Sequence, residues 1–300
     1  MARRKKGLPI NGILLLDKQA GFSSNSSLQK AKRLFNAQKA GHTGSLDPLA
    51  TGMLPICFGE ATKISAFLLE SDKCYQTTVQ LGKTTTTADA EGDILQEREI
   101  PELNQEKIQQ VLQQFTGNIS QIPPMYSALK KDGTPLYKLA RKGETVERKA
   151  RQVTIHELKL INFTADSLTL GVKCSKGTYI RSLVEDIGEA LGCGAYVKNL
   201  RRTAVSPFEA YEMFNFHQLE AMQEMASLDE CLLPIDAGLK HWKPITISNK
   251  DADYFKMGRT IKVDLQNSDK NLRVYAENGD FLGIGYIKHP YSLAPKRVMQ

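Results

Sequence analysis

The twelve residues from Gly41 to Gly52 constrain the conformation of this 300-residue chain more than any other segment. The segment has glycine at positions 41, 44 and 52, and glycine permits sharp turns and close approach of the backbone to another group. Pro48 fixes its own φ and biases the preceding Asp47 toward an extended conformation. The segment therefore predicts a stiffened loop that holds one carboxylate in place, as a catalytic group must be held.

The dipeptide Asp47-Pro48 has a second interpretation. Aspartate is a favoured N-cap of helices, and proline is favoured at the first helical position. On that interpretation Asp47 begins a helix and has a structural role only. The dipeptide by itself leaves both interpretations open.

The charge of the chain favours an anionic partner. The chain has 40 Lys and Arg against 33 Asp and Glu, which gives a net charge of +7 and a pI of about 9.0. Between Lys130 and Arg151 there are eight basic residues and three acidic ones. Two smaller basic clusters are the N-terminal arm Arg3–Lys6 and the group Lys198, Arg201 and Arg202. Together the three clusters suit the binding of nucleic-acid phosphates.

The composition indicates a folded protein of a reducing compartment. The chain has 300 residues, enough for one large domain and a small one, and hydrophobic residues make up 41% of it, enough for a core. The five cysteines include no C-x-x-C pair and the five histidines have no metal-ligand spacing, so we expect reduced thiols and no metal site. No segment is long enough to cross a membrane. We expect a cytoplasmic protein.

The hydrophobic patterns predict a mixture of strands and helices. Strands are expected at 12–17, 73–81, 152–161, 167–174 and 195–205. Helices are expected at 24–36, 60–70, 134–141, 178–191 and 215–226, with a strongly amphipathic one from Ile108 to Phe115. Thr84–Asp93 is expected to be a polar loop. Because the elements do not follow a strict βαβ alternation, an antiparallel or mixed sheet is favoured over a parallel one.

The chain changes character after Trp242. A hairpin is predicted from strands at 271–277 and 281–287 around Asn278-Gly279, a favoured tight-turn pair. We therefore predict a catalytic domain at residues 1–242, with a basic RNA-binding insertion at about 118–151, and a small domain at residues 243–300.

Four further motifs make the chain resemble the TruB family of bacterial tRNA pseudouridine synthases. Its catalytic loop reads G-H-T-G-x-L-D-P-x-A-x-G, which the segment from Gly41 to Gly52 resembles closely. The family motifs K-x-Y, C-S-K-G-T-Y-I-R, G-x-x-V-x-x-L-R-R and P-P-M-Y-S-A-L-K are matched at 73–75, 174–181, 194–202 and 123–130. The resemblance covers nearly the whole chain.

The resemblance implies a fold and an activity. The fold is α/β (α+β), the pseudouridine synthase fold, with a mixed, mainly antiparallel sheet flanked by helices and a small, mostly-β, PUA-like RNA-binding domain. The activity is isomerisation of the T-loop uridine of tRNA, position 55 in tRNA numbering, to pseudouridine after base flipping. The implied partner is the T-arm and elbow of tRNA. No cofactor, metal or protein partner is implied, and we expect a monomer.

The resemblance also implies roles for individual residues. Asp47 is the catalytic aspartate, Tyr75 stacks on the target base, and Arg181 pairs with Asp47. His42, Tyr179 and Leu200 match positions that contact the RNA or the flipped nucleotide. We further expect five basic side chains to bind the RNA: Lys18, Lys63, Lys130, Arg141 and Arg202.

The chemistry of isomerisation agrees with these roles. A carboxylate can act as a nucleophile or as a base, and it must be ionised for either. Burial would raise its pKa and a nearby guanidinium would lower it, so we expect Arg181 to keep Asp47 charged. Extruding the base costs a few kcal/mol, of which stacking on Tyr75 would recover about 1–3 kcal/mol.

Two other functions remain open at the level of the residues. The basic clusters would equally serve an RNA-binding or tRNA-folding protein without catalysis. The aspartate chemistry would equally serve a synthase that acts on ribosomal RNA.

Overall fold

The computed structural model describes residues 7–265 and 270–300. The predicted basic arm at Arg3–Lys6 lies outside the described residues.

The described chain forms seventeen strands and seven α-helices, with short 3₁₀ helices at Gly59–Ile64, Leu228–Cys231 and Ile235–Leu239. The strands are β1 (Gly12–Lys18), β2 (Ala40–His42), β3 (Thr51–Phe58), β4 (Lys73–Leu81), β5 (Lys83–Thr85), β6 (Ile94–Glu97), β7 (Gly117–Gln121), β8 (Lys130–Lys131), β9 (Thr134–Pro135), β10 (Arg151–Phe163), β11 (Ser167–Cys174), β12 (Ala195–Val205), β13 (Pro244–Ile247), β14 (Ile261–Lys262), β15 (Leu272–Ala276), β16 (Phe281–His289) and β17 (Ser292–Val298). The helices are α1 (Ser24–Leu34), α2 (Ser65–Leu69), α3 (Gln105–Gln114), α4 (Leu136–Ala140), α5 (Ile180–Ala190), α6 (Phe216–Glu224) and α7 (Asn249–Lys256).

The larger sheet is mixed and mainly antiparallel, as predicted. Its order is β1-β3-β12-β4-β11-β10-β7, with β2 paired to β3, and β3 and β12 run parallel while the other pairs are antiparallel. β1 is buried on both faces: Ile13 and Leu15 pack into one hydrophobic cluster, and Leu14 and Leu16 pack into another. Burial on both faces explains the continuous apolar run in its sequence.

Helices cover the larger sheet and position its loops. α5 and α3 pack on β4, β11 and β12, while α1 and α6 pack on β1 and β3. α1 begins where Ser23 accepts a hydrogen bond from the Ser26 N–H at 3.0 Å. α6 begins at a capping box formed by Asn215 and Gln218. These caps satisfy backbone N–H groups that have no partner within the helix.

The C-terminal residues form a second sheet, in the order β13-β15-β16-β17-β14. Ile284 and Met299 from this part of the chain pack in the same hydrophobic cluster as Ile13 and Leu15 of β1. The Lys63 ammonium also donates to the Val298 carbonyl at 2.7 Å. The C-terminal sheet therefore shares a core with the larger sheet.

Most of the predicted elements are present, but β3 was missed. Its sequence contains Gly52 and Pro55, which indicate a loop rather than a strand. On one edge β3 pairs with β1 throughout, while on the other it pairs with β12 at residues 51–52 and with β2 at residues 56–58. The Pro55 carbonyl accepts from the Thr43 N–H at 3.1 Å in the gap between those two pairings. Because the N–H and C=O of a strand residue point to the same edge, the missing N–H of Pro55 faces this gap.

The structure differs from the sequence predictions in four smaller ways. β7, for which we predicted no strand, lies at the start of the basic insertion, and β6 follows the predicted polar loop. The predicted helix at 60–70 is divided into a 3₁₀ helix and α2. No helix begins at Asp47: the Ala50 N–H donates to the Asp47 carbonyl at 3.1 Å in a single turn, and residues 43–50, all of which are described, contain no helix. The helix-cap interpretation of Asp47-Pro48 is therefore wrong.

Candidate active site

The loop between β2 and β3 is held by contacts that other elements make with its backbone. The Ser24 hydroxyl, in the first turn of α1, donates to the Leu46 carbonyl at 3.0 Å and accepts from the Leu46 N–H at 2.7 Å. The end of the loop requires glycine at position 52, where φ is 97° and an added Cβ would lie 2.2 Å from the Arg202 carbonyl oxygen. This close approach joins the loop to β12.

Two buried cations bind carbonyl groups in and next to the same loop. The Lys18 ammonium donates to the carbonyls of Pro48 at 3.2 Å and Ala50 at 2.6 Å. The Arg202 guanidinium donates to the Gly44 carbonyl at 3.1 Å and, through Nε, to the Met53 carbonyl at 2.7 Å. Lys18 and Arg202 expose 0% and 1% of their surface. Their hydrogen bonds hold the loop in one conformation.

The loop places Asp47 against Arg181 at the start of α5. Arg181 Nε lies 2.9 Å from Asp47 Oδ2, and the side chains are 4% and 37% exposed, respectively. The other guanidinium nitrogens donate to the carbonyls of Thr87 at 3.0 Å and Tyr126 at 2.7 Å. The carboxylate is thus reachable from solvent, while its partner is buried and fixed on three sides.

A second carboxylate, Asp89, belongs to the same cluster. Its Oδ2 lies 3.6 Å from Arg181 Nε, and its Oδ1 accepts from the Thr87 hydroxyl and from the Glu91 N–H. Sequence reasoning missed Asp89 because it lies in the predicted polar loop Thr84–Asp93. The one available signal was an aspartate after a run of threonines, a pattern typical of local side chain–backbone bonds. That pattern does not indicate which guanidinium the carboxylate faces.

The ionisation of Asp47 reflects opposing effects. Burial raises the pKa of Asp47 above its usual value, and the negative charge of Asp89 raises it further. The Arg181 guanidinium lowers the pKa, as we predicted, and Lys18 has a smaller effect in the same direction. Burial and Asp89 together outweigh the guanidinium and Lys18, so the net shift of the Asp47 pKa is upward.

The predicted base-contacting residues lie on β2, on β4, on β12 and directly before α5. Tyr75 on β4 is half-buried, and burial raises the pKa of its phenol although the charge of Arg202 lowers it. Tyr179 directly precedes α5, and burial raises its pKa as well. Burial and the charge of Arg202 lower the pKa of His42 on β2. Leu200 is buried on β12 beside the end of the loop, where its carbonyl accepts from the Thr51 hydroxyl at 3.5 Å.

The structure contradicts the predicted RNA contacts of Lys18 and Arg202. Both side chains are buried and donate to carbonyl groups of the protein, so neither reaches the surface where a phosphate would lie. Lys63 is also engaged within the protein, with Glu60 and the Val298 carbonyl, at the contact between the two sheets. The charge clusters in the sequence did not reveal these internal carbonyl partners.

Sequence comparisons identify the family. The family model described as "TruB family pseudouridylate synthase (N terminal domain)" matches residues 32–180. Two models of C-terminal domains of the same family match residues 181–240 and 244–299. The chain is 54% identical over 294 residues to tRNA pseudouridine synthase B of Pseudomonas fluorescens strain Pf0-1, covering 97% of this chain and 96% of the relative. It is 50% identical, with the same coverage, to the protein of that name from Stutzerimonas stutzeri. The chain belongs to the TruB family. It is a pseudouridine synthase, an isomerase that acts on uridine.

Chains of two solved complexes have the same fold. A Cbf5-Nop10-Gar1 complex contains a chain that matches with a TM-score of 0.72 and 25% identity, covering 93% of this chain and 79% of that one. A chain of an H/ACA RNP bound to a substrate RNA matches with a TM-score of 0.74 and 21% identity, covering 100% and 92%. The second likeness concerns the fold alone.

We call residues 43–50, the loop between β2 and β3, the TruB loop. The remaining predicted RNA contacts lie outside it. Lys130 on β8 and Arg141 after α4 are both exposed, and the Arg141 guanidinium lies 5.6 Å from the centre of the Tyr137 ring. Among residues 7–265 and 270–300, no group of His, Cys, Asp and Glu is arranged to hold a metal ion. Within those ranges, no helix is long and apolar enough to span a membrane.

Proposed function

We propose that this chain converts the T-loop uridine of tRNA to pseudouridine and that Asp47 provides the catalytic carboxylate. The observation that carries the proposal is the pairing of a partly exposed carboxylate with a buried guanidinium, at 2.9 Å between Asp47 Oδ2 and Arg181 Nε. A protein that only bound RNA would not need an acid whose charge is supported in this way. The tRNA substrate is supported by the names of the relatives, which match over nearly their whole length.

The reaction needs few groups from the protein. The glycosidic bond between C1′ and N1 breaks, the base turns, and a bond forms between C1′ and C5. The proton on C5 is then lost, and N1 gains one. Asp47 attacks the nucleotide or removes a proton, and in either role it must be ionised. Arg181 favours the ionised form of Asp47 and fixes the direction of its oxygens.

Binding requires the uridine to leave its stack. Tyr75 presents a ring beside Asp47 on which an extruded base can stack, and Tyr179 and Leu200 contact the same nucleotide. His42, at the N-terminal end of the loop, fills the space that the base leaves. The exposed cations of the insertion, including Lys130 and Arg141, bind the phosphates of the T-arm.

The C-terminal residues 243–300 serve as a PUA-like RNA-binding domain, and the enzyme acts as a monomer in the cytoplasm. The five cysteines all lie in the described part of the chain and are unpaired, which agrees with a reducing compartment.

The test is tritium release from an unmodified tRNA transcript labelled at C5 of its uridines. We expect release of one tritium per transcript by the wild-type chain and none by Asp47→Asn, with tRNA affinity largely retained. Asp93→Asn is the matched control, because Asp93 is exposed. A transcript with cytidine at the T-loop position should release none. Normal release by Asp47→Asn would contradict the catalytic role, and equal turnover of a ribosomal RNA fragment would contradict the substrate.

A further inference from the structure

Gln121 binds both backbone groups of Tyr179. Its side-chain oxygen accepts from the Tyr179 N–H at 2.8 Å, and its amide nitrogen donates to the Tyr179 carbonyl at 3.0 Å. Gln121 is the last residue of β7, which ends the order of the larger sheet, and it is 2% exposed. A buried amide that satisfies both backbone groups of one residue fixes that residue in position and orientation.

The start of α5 depends on this contact. Tyr179 is the N-cap of α5, with φ −101° and ψ 110°, and its side chain makes no capping hydrogen bond. Tyrosine lacks the short oxygen-bearing side chain that favours the N-cap position. The Gln121 amide therefore supplies from another strand a constraint that the local sequence does not supply.

Neighbouring contacts continue this attachment into the active site. The Ser182 hydroxyl donates to the Ile122 carbonyl at 3.0 Å, and Arg181 Nη2 donates to the Tyr126 carbonyl at 2.7 Å. The first turn of α5 thus lies against residues 121–126 at three successive contacts. Of the three, the Gln121 contact joins a side chain of β7 to Tyr179, the residue directly before the helix.

We propose that Gln121 is a positioning residue for Tyr179 and, through the first turn of α5, for Arg181. This inference rests on the proposed function, in which Tyr179 contacts the flipped nucleotide and Arg181 orients Asp47. Gln121 itself touches neither the carboxylate nor the substrate. Its loss should therefore slow the chemical step while leaving RNA binding by the exposed insertion nearly unchanged.

The test compares Gln121→Met and Gln121→Glu with the wild-type chain. Methionine keeps the approximate volume and removes both hydrogen bonds. Glutamate keeps the acceptor for the Tyr179 N–H but places an oxygen against the Tyr179 carbonyl. Gln152→Met is the matched control, since Gln152 is an exposed residue of the adjacent strand β10. The measurements are the single-turnover rate on a tRNA transcript, the Kd for that transcript and the unfolding midpoint.

We expect the single-turnover rate of Gln121→Met to fall by about 10- to 100-fold, since misplacement of catalytic groups by about 1 Å has effects of this size. We expect at least an equal loss for Gln121→Glu, since it buries a carboxylate against a carbonyl oxygen, and a Kd within about threefold of the wild-type value for both. A lower unfolding midpoint with an unchanged rate per folded molecule would overturn the proposal. If Gln121→Met does not fold, an unchanged rate for Gln121→Glu would overturn it equally. A wild-type chain that formed no pseudouridine would show instead that the proposed function is wrong, and this inference would fall with it.

Discussion

The TruB loop and the basic insertion both depend on cations, but their cations have opposite environments. Around the loop, Lys18 and Arg202 are buried and donate to backbone carbonyls. In the insertion, Lys130 and Arg141 are exposed. A buried cation whose donors are used by the protein fixes backbone geometry, whereas an exposed one is available to a phosphate. On the proposed function, the buried cations fix the loop that holds Asp47, and the exposed cations bind the tRNA.

Among the residues around Asp47, Arg181 should have the largest effect on catalysis when it is replaced. Arg181→Lys keeps the charge but cannot reach Asp47 and the carbonyls of Thr87 and Tyr126 together. We expect kcat to fall by about 10²- to 10³-fold, the range found when one preorganised donor is removed from an active site. Steady-state kinetics on a tRNA transcript would measure this loss.

The matched control for that prediction is Arg98→Lys. Arg98 forms a two-bond ion pair with Glu189 at the surface, away from Asp47. Its replacement should leave kcat unchanged. A fall in kcat of similar size for both variants would show that the Arg181 result reflects general loss of structure.

Removing a buried cation should lower the stability of the protein more than it weakens RNA binding. Lys18→Met leaves the carbonyls of Pro48 and Ala50 without their donor in a buried place. We expect the free energy of unfolding to fall by about 2–6 kcal/mol, from about 1–3 kcal/mol for each of the two carbonyl groups left unpaired. Chemical denaturation would measure it. Lys30→Met is the control, because its ion pair with Glu220 is exposed and such pairs contribute about 1 kcal/mol or less.

The Lys18 prediction also tests the comparison between the two regions. If Lys18→Met retained full stability but bound tRNA more weakly at low salt, the ammonium would reach the RNA in solution. The distinction between holding the loop and holding the substrate would then be wrong for this residue.

The sequence predicted elements with strong periodicity and missed those defined by distant partners. α3 was predicted correctly because Ile108 and Val111 fall three residues apart, on the buried face of a helix. β4 was predicted correctly because buried residues such as Val79 alternate with more exposed ones along it. The Asp47–Arg181 pair was predicted from the family resemblance, since no spacing within the chain connects positions 47 and 181. The burial of Lys18 could not be predicted, because the carbonyls that bind its ammonium are not visible in a side-chain pattern.

Neutralising exposed cations of the insertion should weaken RNA binding without affecting stability. We expect the double variant Lys130→Gln, Arg141→Gln to reduce the slope of log K against log salt by about 1.5–2, which corresponds to two lost phosphate contacts. Filter binding at several salt concentrations would measure it. The control pair Lys107→Gln, Lys159→Gln removes two exposed charges from α3 and β10. Equal slopes for the two double variants would place the RNA elsewhere.

The smallest expected effect is a shift in pH dependence on replacing Asp89. Because the charge of Asp89 raises the pKa of Asp47, Asp89→Asn should lower that pKa. Activity that requires ionised Asp47 is lost as pH falls through its pKa, so the acid limb of the kcat profile should move to lower pH. Asp93→Asn, a change to an exposed acid of the same loop, should leave the acid limb unchanged. A shift to higher pH in Asp89→Asn would mean that Asp89 acts mainly by holding Arg181 near Asp47. In that case loss of the guanidinium's effect on the Asp47 pKa would exceed the relief from the removed negative charge.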